Sequence, residues 1–461
     1  MTETSDSEIV STRQRRIAQL AKQMPEKGLT SLNQHLDLAW LREAYRRTRK
    51  DGAAGVDGQT AADYEKDLEG SLRSLLERAK SGTYWAPPVR RVHIPKGTAG
   101  ETRPIGIPTL EDKILQRAIV MLLEPIYEED FYDCSYGFRP NRSAHDALDS
   151  LSKQTMWSGV SCLLEVDIRK FFDTLDHAHL RAFLQQRIRD GVVLRLIGKW
   201  LNAGVMEAGA VTHPEAGSPQ GGVVSPLLAN VYLHYVLDQW FAREVQPRLT
   251  GRAFVVRYAD DFVIGFTDDE DARRVRVVLP KRFGKYGLTI HPDKTRRVPF
   301  RKPEGEWERS DGNGPGTFDF LGLTHFWARS RKGNWILKRK TAASRFTRAV
   351  KTIAQWCRFH RHDPIAEQHK VLCQKLRGHA AYYGITGNSP ALACFRHEVR
   401  KVWRKWLVRR RRAWRTPWSW FLHLQRRYPA ATTSIGCPST RAYAALPPAY
   451  TRRTRGGGRV R

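Results

Sequence analysis

The chain lacks any C-x-x-C pair, and its six cysteines, at positions 134, 162, 357, 373, 394 and 437, have no matching H-x3–5-H pair. That pattern argues against a structural zinc site and suits a reducing, cytoplasmic environment. No run of 18 apolar residues occurs, and the start, MTETSDSEIVSTRQRR, has no signal-peptide core, so membrane insertion and export are not expected. Internal repeats and heptads are absent as well. Acidic residues are missing where basic ones are densest: positions 400–461 hold 17 Lys or Arg and no Asp or Glu.

What is present points to a polyanion. The 461 residues carry a net charge of +31 with a pI near 10.2, and a clustered positive charge of this size ordinarily neutralises phosphates. In VWRKWLVRRRRAWRTPWSWF, Trp403, Trp406, Trp414, Trp418 and Trp420 interleave with arginines such as Arg409, Arg410 and Arg411. Aromatic faces beside guanidinium groups suit stacking on structured or single-stranded RNA. Helical spacing allows the other reading, in which Trp403, Trp406 and Trp414 share one packed face.

The segment FVVRYADDFVIGF places two adjacent carboxylates inside an apolar run. Strands over 254–258 and 262–266 with a hairpin turn between them explain the pattern. Asp260 and Asp261 then form either an Asp-rich turn or a site for a hard cation such as Mg²⁺, since ionised groups beside a core need a partner. A third carboxylate, Asp167, falls near the end of an apolar stretch, 162–168, followed by helical sequence. It reads either as a helix cap or as the remaining ligand of a two-metal nucleotidyl-transfer centre.

Eight ordered blocks carry a family resemblance: GAAGVDGQT (52–60), RRVHIPKGTAGETRPIGIPTLEDKILQRAI (90–119), YGFRPNRSAHDAL (136–148), DIRKFFD (167–173), GSPQGGVVSPLLANVYL (217–233), YADD (258–261), GLTIHPDKT (287–295) and FLGL (320–323). In this order and spacing the chain resembles bacterial group II intron reverse transcriptases with their maturase domain. The resemblance implies RNA-directed DNA synthesis with two Mg²⁺ ions held by Asp167, Asp260 and Asp261. It implies nucleotide contacts at Phe172, Gln220, Arg103 and Lys96, with the Phe172 ring as a steric gate against a ribose 2′-OH. Lys294 and Tyr258 would serve primer and template. Tyr382 and Tyr383, in LRGHAAYYGITGN, and Arg409, Arg410, Arg411 and Trp414 would contact intron RNA.

The implied partners are group II intron RNA, an RNA template, a DNA primer, deoxynucleoside triphosphates and target DNA, with nucleoid association when the protein acts on DNA. The missing cysteine pairs argue against the HNH-type nuclease domain that some members carry. A defence-associated, retron-like enzyme and a splicing-only maturase are the alternatives, and the three retained carboxylates speak against the second.

The expected fold class is α+β. A right-hand polymerase, with antiparallel sheet in fingers and palm, precedes an α-helical thumb and maturase domain. The expected divisions are an N-terminal extension at 1–75, fingers and palm at 76–327, thumb and maturase at 338–400, and a basic tail at 401–461. A charged, Gly-rich surface loop is expected at 303–316.

Overall fold

The computed structural model describes residues 5–95, 102–207, 209–212, 217, 221–303, 316–410 and 418–429. Lys96, Gln220, Arg411, Trp414 and most of the 303–316 loop lie outside the described residues. The chain divides into two units, one of Met1–Leu151 with Ser161–Arg297, the other of Ser152–Val160 with Val298–Arg461.

In the first unit the helix Leu110–Asp130 is the central support, with Leu115, Ala118, Ile119, Leu122 and Ile126 all out of solvent. Thr109 caps it by accepting from the amide of Asp112. The helices Asp6–Gln23 and Leu38–Arg47 bury Val10, Ile17, Trp40 and Leu41 in the same core, and Trp40 Nε1 donates to the carbonyl of Ala118 at 3.0 Å. The N-terminal helices are therefore part of the unit's hydrophobic core.

The strands of this unit, in chain order, are β1 (Val89–Pro95), β2 (Thr102–Ile107), β3 (Cys162–Val166), β4 (Ile168–Arg169), β5 (Val205–Glu207), β6 (Ala210–Thr212), β7 (Ala253–Tyr258), β8 (Asp261–Phe266), β9 (Thr289–Ile290) and β10 (Arg296–Pro299), the last straddling the division. One sheet runs β2-β1-β5-β6, with β1 and β2 antiparallel and Arg103 opposite Ile94. The sheet β10-β3-β8-β7 has β8 at its centre, antiparallel to both β3 and β7. Its inner strands are nearly continuous apolar runs because both faces are covered. The short pair β4-β9 matches Ile168 with Ile290.

The second unit contains an antiparallel sheet of β11 (Phe318–Phe320), β12 (Leu323–Arg329) and β13 (Trp335–Thr341). Four helices follow, Ala343–Phe359, Ile365–Tyr383, Ser389–Arg410 and Trp418–Arg427, packed around Ile353, Cys357, Leu376, Phe395, Val399, Leu407 and Phe421. Ser389–Arg410 is one uninterrupted helix across position 400, and Trp403 within it is only 4 % exposed. Among the described residues no helix is long and apolar enough to cross a membrane.

Candidate active site

Adjacent strands β7 and β8 pair Tyr258 with Asp261 and leave Ala259 and Asp260 as a two-residue loop. Such loops need a positive φ, and here the non-glycine Ala259 supplies it at +56°. Two features hold this costly backbone in place. Arg257, wholly buried, donates from Nη1 to the Ala259 carbonyl at 3.0 Å. Gly137 supplies the room, since a Cβ there would stand 2.3 Å from the Ala259 nitrogen.

A buried guanidinium must be paired, and Arg257 is. Nε meets Asp238 Oδ1 at 2.9 Å, Nη2 meets Oδ2 at 2.5 Å, and Nη1 also donates to Asn230 Oδ1 at 3.0 Å. Asn230 in turn donates to the Gly137 carbonyl at 2.7 Å. The backbone of Arg257 bonds that of Cys134 and Tyr136, so the 134–137 stretch lies along β7. None of Arg257, Asp238, Asn230 and Gly137 stood out from sequence alone. The available signal was a lone arginine in an apolar strand.

Asp167 sits at the break between β3 and β4, and its carbonyl accepts from His291 N at 2.8 Å. The expected helix does not follow it. Residues 168–169 pair with β9, a 3₁₀ turn occupies Phe171–Asp173, and the helix begins only at His177 with Asp176 as its cap. Asp167 therefore caps no helix. Its Oδ2 lies 2.8 Å from the Lys294 ammonium, which the turn after β9 carries back across it.

Electrostatics couple these elements. Burial raises the Asp260 carboxyl above the ordinary aspartate range, the charge of Asp167 raises it further, and Arg103 and Arg257 oppose the rise. The register of β3 on β8, Val166 opposite Phe262, brings the β3–β4 break to the hairpin end of the sheet. Asp261, by contrast, is exposed. Tyr258 beside the pair is half-buried.

Two glycines of the GSPQGG block, Gly217 and Gly221, lie close against the same elements. A Cβ on Gly217, at φ +99°, would lie 2.9 Å from the Phe172 carbonyl, and one on Gly221, at φ +118°, 2.3 Å from the Gly106 carbonyl in β2. Both positions therefore require glycine for conformation and for close approach. Gln116 accepts from the amides of Val223 and Val224, at 2.7 and 3.3 Å, and so fixes the loop's exit. Of the paired phenylalanines, Phe171 is the core residue. Phe172 is half-buried and meets it edge to face at 5.3 Å.

As the side chains stand, no three His, Cys, Asp or Glu groups among the described residues converge as a metal site. The donor chemistry nonetheless fits a hard dication. Asp167 and Asp260 offer only carboxylate oxygens, and their mutual repulsion is the kind a bound cation relieves.

The remaining candidates belong to the second unit. The Tyr382 hydroxyl donates to the Leu321 carbonyl at 2.9 Å, and Tyr383 packs on His379 with ring centres 4.6 Å apart. Arg409 lies over the Trp406 ring at 5.0 Å, and Arg410 donates to the Asp363 carbonyl at 2.9 Å.

The first unit thus sets a strand-break aspartate, Asp167, at the end of the sheet that carries the Asp260–Asp261 hairpin. Residues 94–325 match the family model described as reverse transcriptase (RNA-dependent DNA polymerase), and the chain belongs to that family. It is 37 % identical over 327 residues to Protein YkfC of Escherichia coli (strain K12), covering 62 % of this chain and 84 % of that one. It is 38 % identical over 213 residues to the group II intron-encoded protein LtrA of Lactococcus lactis subsp. cremoris, over 45 % of this chain but only 35 % of the relative. Nuclear intron maturase 2, mitochondrial, of Arabidopsis thaliana is 27 % identical over 230 residues, which is 41 % of this chain and 29 % of that relative.

Proposed function

We propose that the protein copies RNA into DNA by extending a DNA primer with deoxynucleoside triphosphates, and that it binds a group II intron RNA and promotes its splicing and mobility. The observation that carries the polymerase reading is the register of β3 on β8, which sets Val166 opposite Phe262 and so brings Asp167 to the sheet end that carries Asp260 and Asp261. In the reaction the primer 3′-oxygen attacks the α-phosphorus of the incoming nucleotide, and pyrophosphate departs.

Asp167, Asp260 and Asp261 would hold two Mg²⁺ ions, which when bound activate the 3′-oxygen and neutralise the departing pyrophosphate. Arg103 contributes a bidentate phosphate donor on β2. Phe172 presents its ring to the sugar and excludes a 2′-hydroxyl. Lys294 neutralises Asp167 until nucleic acid and metal arrive, with Tyr258 beside the primer end. Lys96 and Gln220 complete the nucleotide pocket in this reading. The intron RNA would contact Tyr382, Tyr383, Arg409 and Arg410, and the basic sequence that continues through Arg411 and Trp414. The relatives named for group II introns and for intron maturation support that choice of RNA.

Primer extension on an RNA template, run beside an RNA-binding measurement, tests the reading. Asp260→Asn abolishes extension and leaves RNA binding nearly intact. Loss of both together would make the acidic pair structural.

A further inference from the structure

The first unit has a second basic feature. A cleft of about 510 Å³ opens between the segment before β1 and the helices His177–Arg187 and Gly191–Leu201. Its volume falls within the roughly 300–1,000 Å³ common for ligand sites. Trp85 stands on its wall and is 69 % exposed, whereas its neighbours Tyr84 and Ala86 are buried. The backbone beneath the indole is fixed, because Tyr84 N donates to the Arg78 carbonyl at 2.8 Å and the Lys199 ammonium bonds the Tyr84 carbonyl. The indole therefore projects from a fixed backbone and leaves a large apolar surface open to a stacking partner.

Charge identifies the occupant. Arg181, Arg195 and Lys199 line the cleft, no Asp or Glu does, and none of the three cations has a carboxylate partner among the described residues. Arg195 and Lys199 reach only backbone carbonyls, those of Lys80 and Gly82 among them. Gln185 and Asn202 add amides suited to the edge of a base. A flat apolar face, amide groups and unneutralised cations together match one unpaired nucleotide, with its base on the ring and its phosphates on the guanidinium groups.

We infer that this cleft captures an unpaired nucleotide of the bound RNA, stacked on Trp85 with its flanking phosphates on Arg181 and Arg195. The inference rests on the RNA-binding part of the proposed function and not on the polymerase chemistry.

The test uses the full chain with a single-stranded oligouridylate carrying 4-thiouridine, and with the same strand annealed to oligoadenylate. Irradiation crosslinks the single strand to Trp85. Trp85→Ala weakens its binding about fivefold or more, the loss of one stacked base, while Trp85→Phe retains most of it. Arg181→Glu with Arg195→Glu weakens binding and flattens its salt dependence. Wild-type binding by both Trp85→Ala and the double variant, or equal competition by the duplex, overturns the proposal. So does a dimer at working concentration that Trp85→Ala dissolves, because a second copy would then be the occupant. A wild-type chain that crosslinks at Trp85 but extends no primer upholds the cleft and refutes the polymerase reading instead.

Discussion

Arg257 and Asp238 form a doubly bonded ion pair wholly out of solvent, directly behind the hairpin loop that carries Asp260. Removing one partner of such a pair leaves the other charge buried and uncompensated. Arg257→Ala is therefore expected to cost about 3–5 kcal/mol of stability, read from the midpoint of urea unfolding. Arg257→Lys keeps the charge but loses the fork that reaches Asp238, Asn230 and Ala259 together, so it should retain more stability than activity. Equal losses of the two would mean that the arginine only supports the fold.

Gly137 makes a second prediction, because its missing side chain is what lets the loop pass. Gly137→Ala forces the Ala259 nitrogen or the 134–137 stretch to move, at a cost of about 1–3 kcal/mol. The displacement falls on the loop itself. Primer extension should drop further than RNA affinity, and unchanged extension would show that the loop adjusts without consequence.

The hairpin was legible because two acids in an apolar run violate the local pattern, and strands expected at 254–258 and 262–266 are observed at Ala253–Tyr258 and Asp261–Phe266. Arg257 lies in the same run, yet its meaning depends on Asn230 and Asp238, which no local pattern connects to it. The segment after Asp167 was misread for a similar reason. Residues 168–169 are held extended by β9, more than a hundred positions later, and tertiary pairing overrides the helical tendency. In the basic region, of the three tryptophans expected on one packed face, Trp403 is buried and donates to Gln368 at 3.0 Å, Trp406 is partly buried against the same core, and Trp414 lies outside the described residues. The periodicity alone could not show that the helix continues to Arg410.

The raised Asp260 carboxyl predicts a stability that depends on pH. A carboxyl whose folded pKa is raised contributes stability that is present below its unfolded value and is lost as pH rises through the folded value. At neutral pH the ionised group therefore opposes folding. Asp260→Asn should melt above the wild type at pH 7, and the gap should close toward pH 4. If the site takes Mg²⁺, the ion raises the melting temperature of the wild type but not of the variant. A gap that stays constant across this range would remove the raised pKa from the account.

Lys294 gives the last prediction, because its ammonium occupies an oxygen of Asp167 that a metal ion would use. Both groups keep solvent contact, so the pair adds little to folding, and Lys294→Ala should change stability by no more than about 1 kcal/mol. Its effect belongs to ligand exchange. With the competing cation gone, the Mg²⁺ concentration at half-maximal thermal shift should fall in the absence of nucleic acid, while extension at limiting primer should weaken. A shift midpoint that does not move would mean that Lys294 and Asp167 are not paired in solution, and that the lysine does not guard the site.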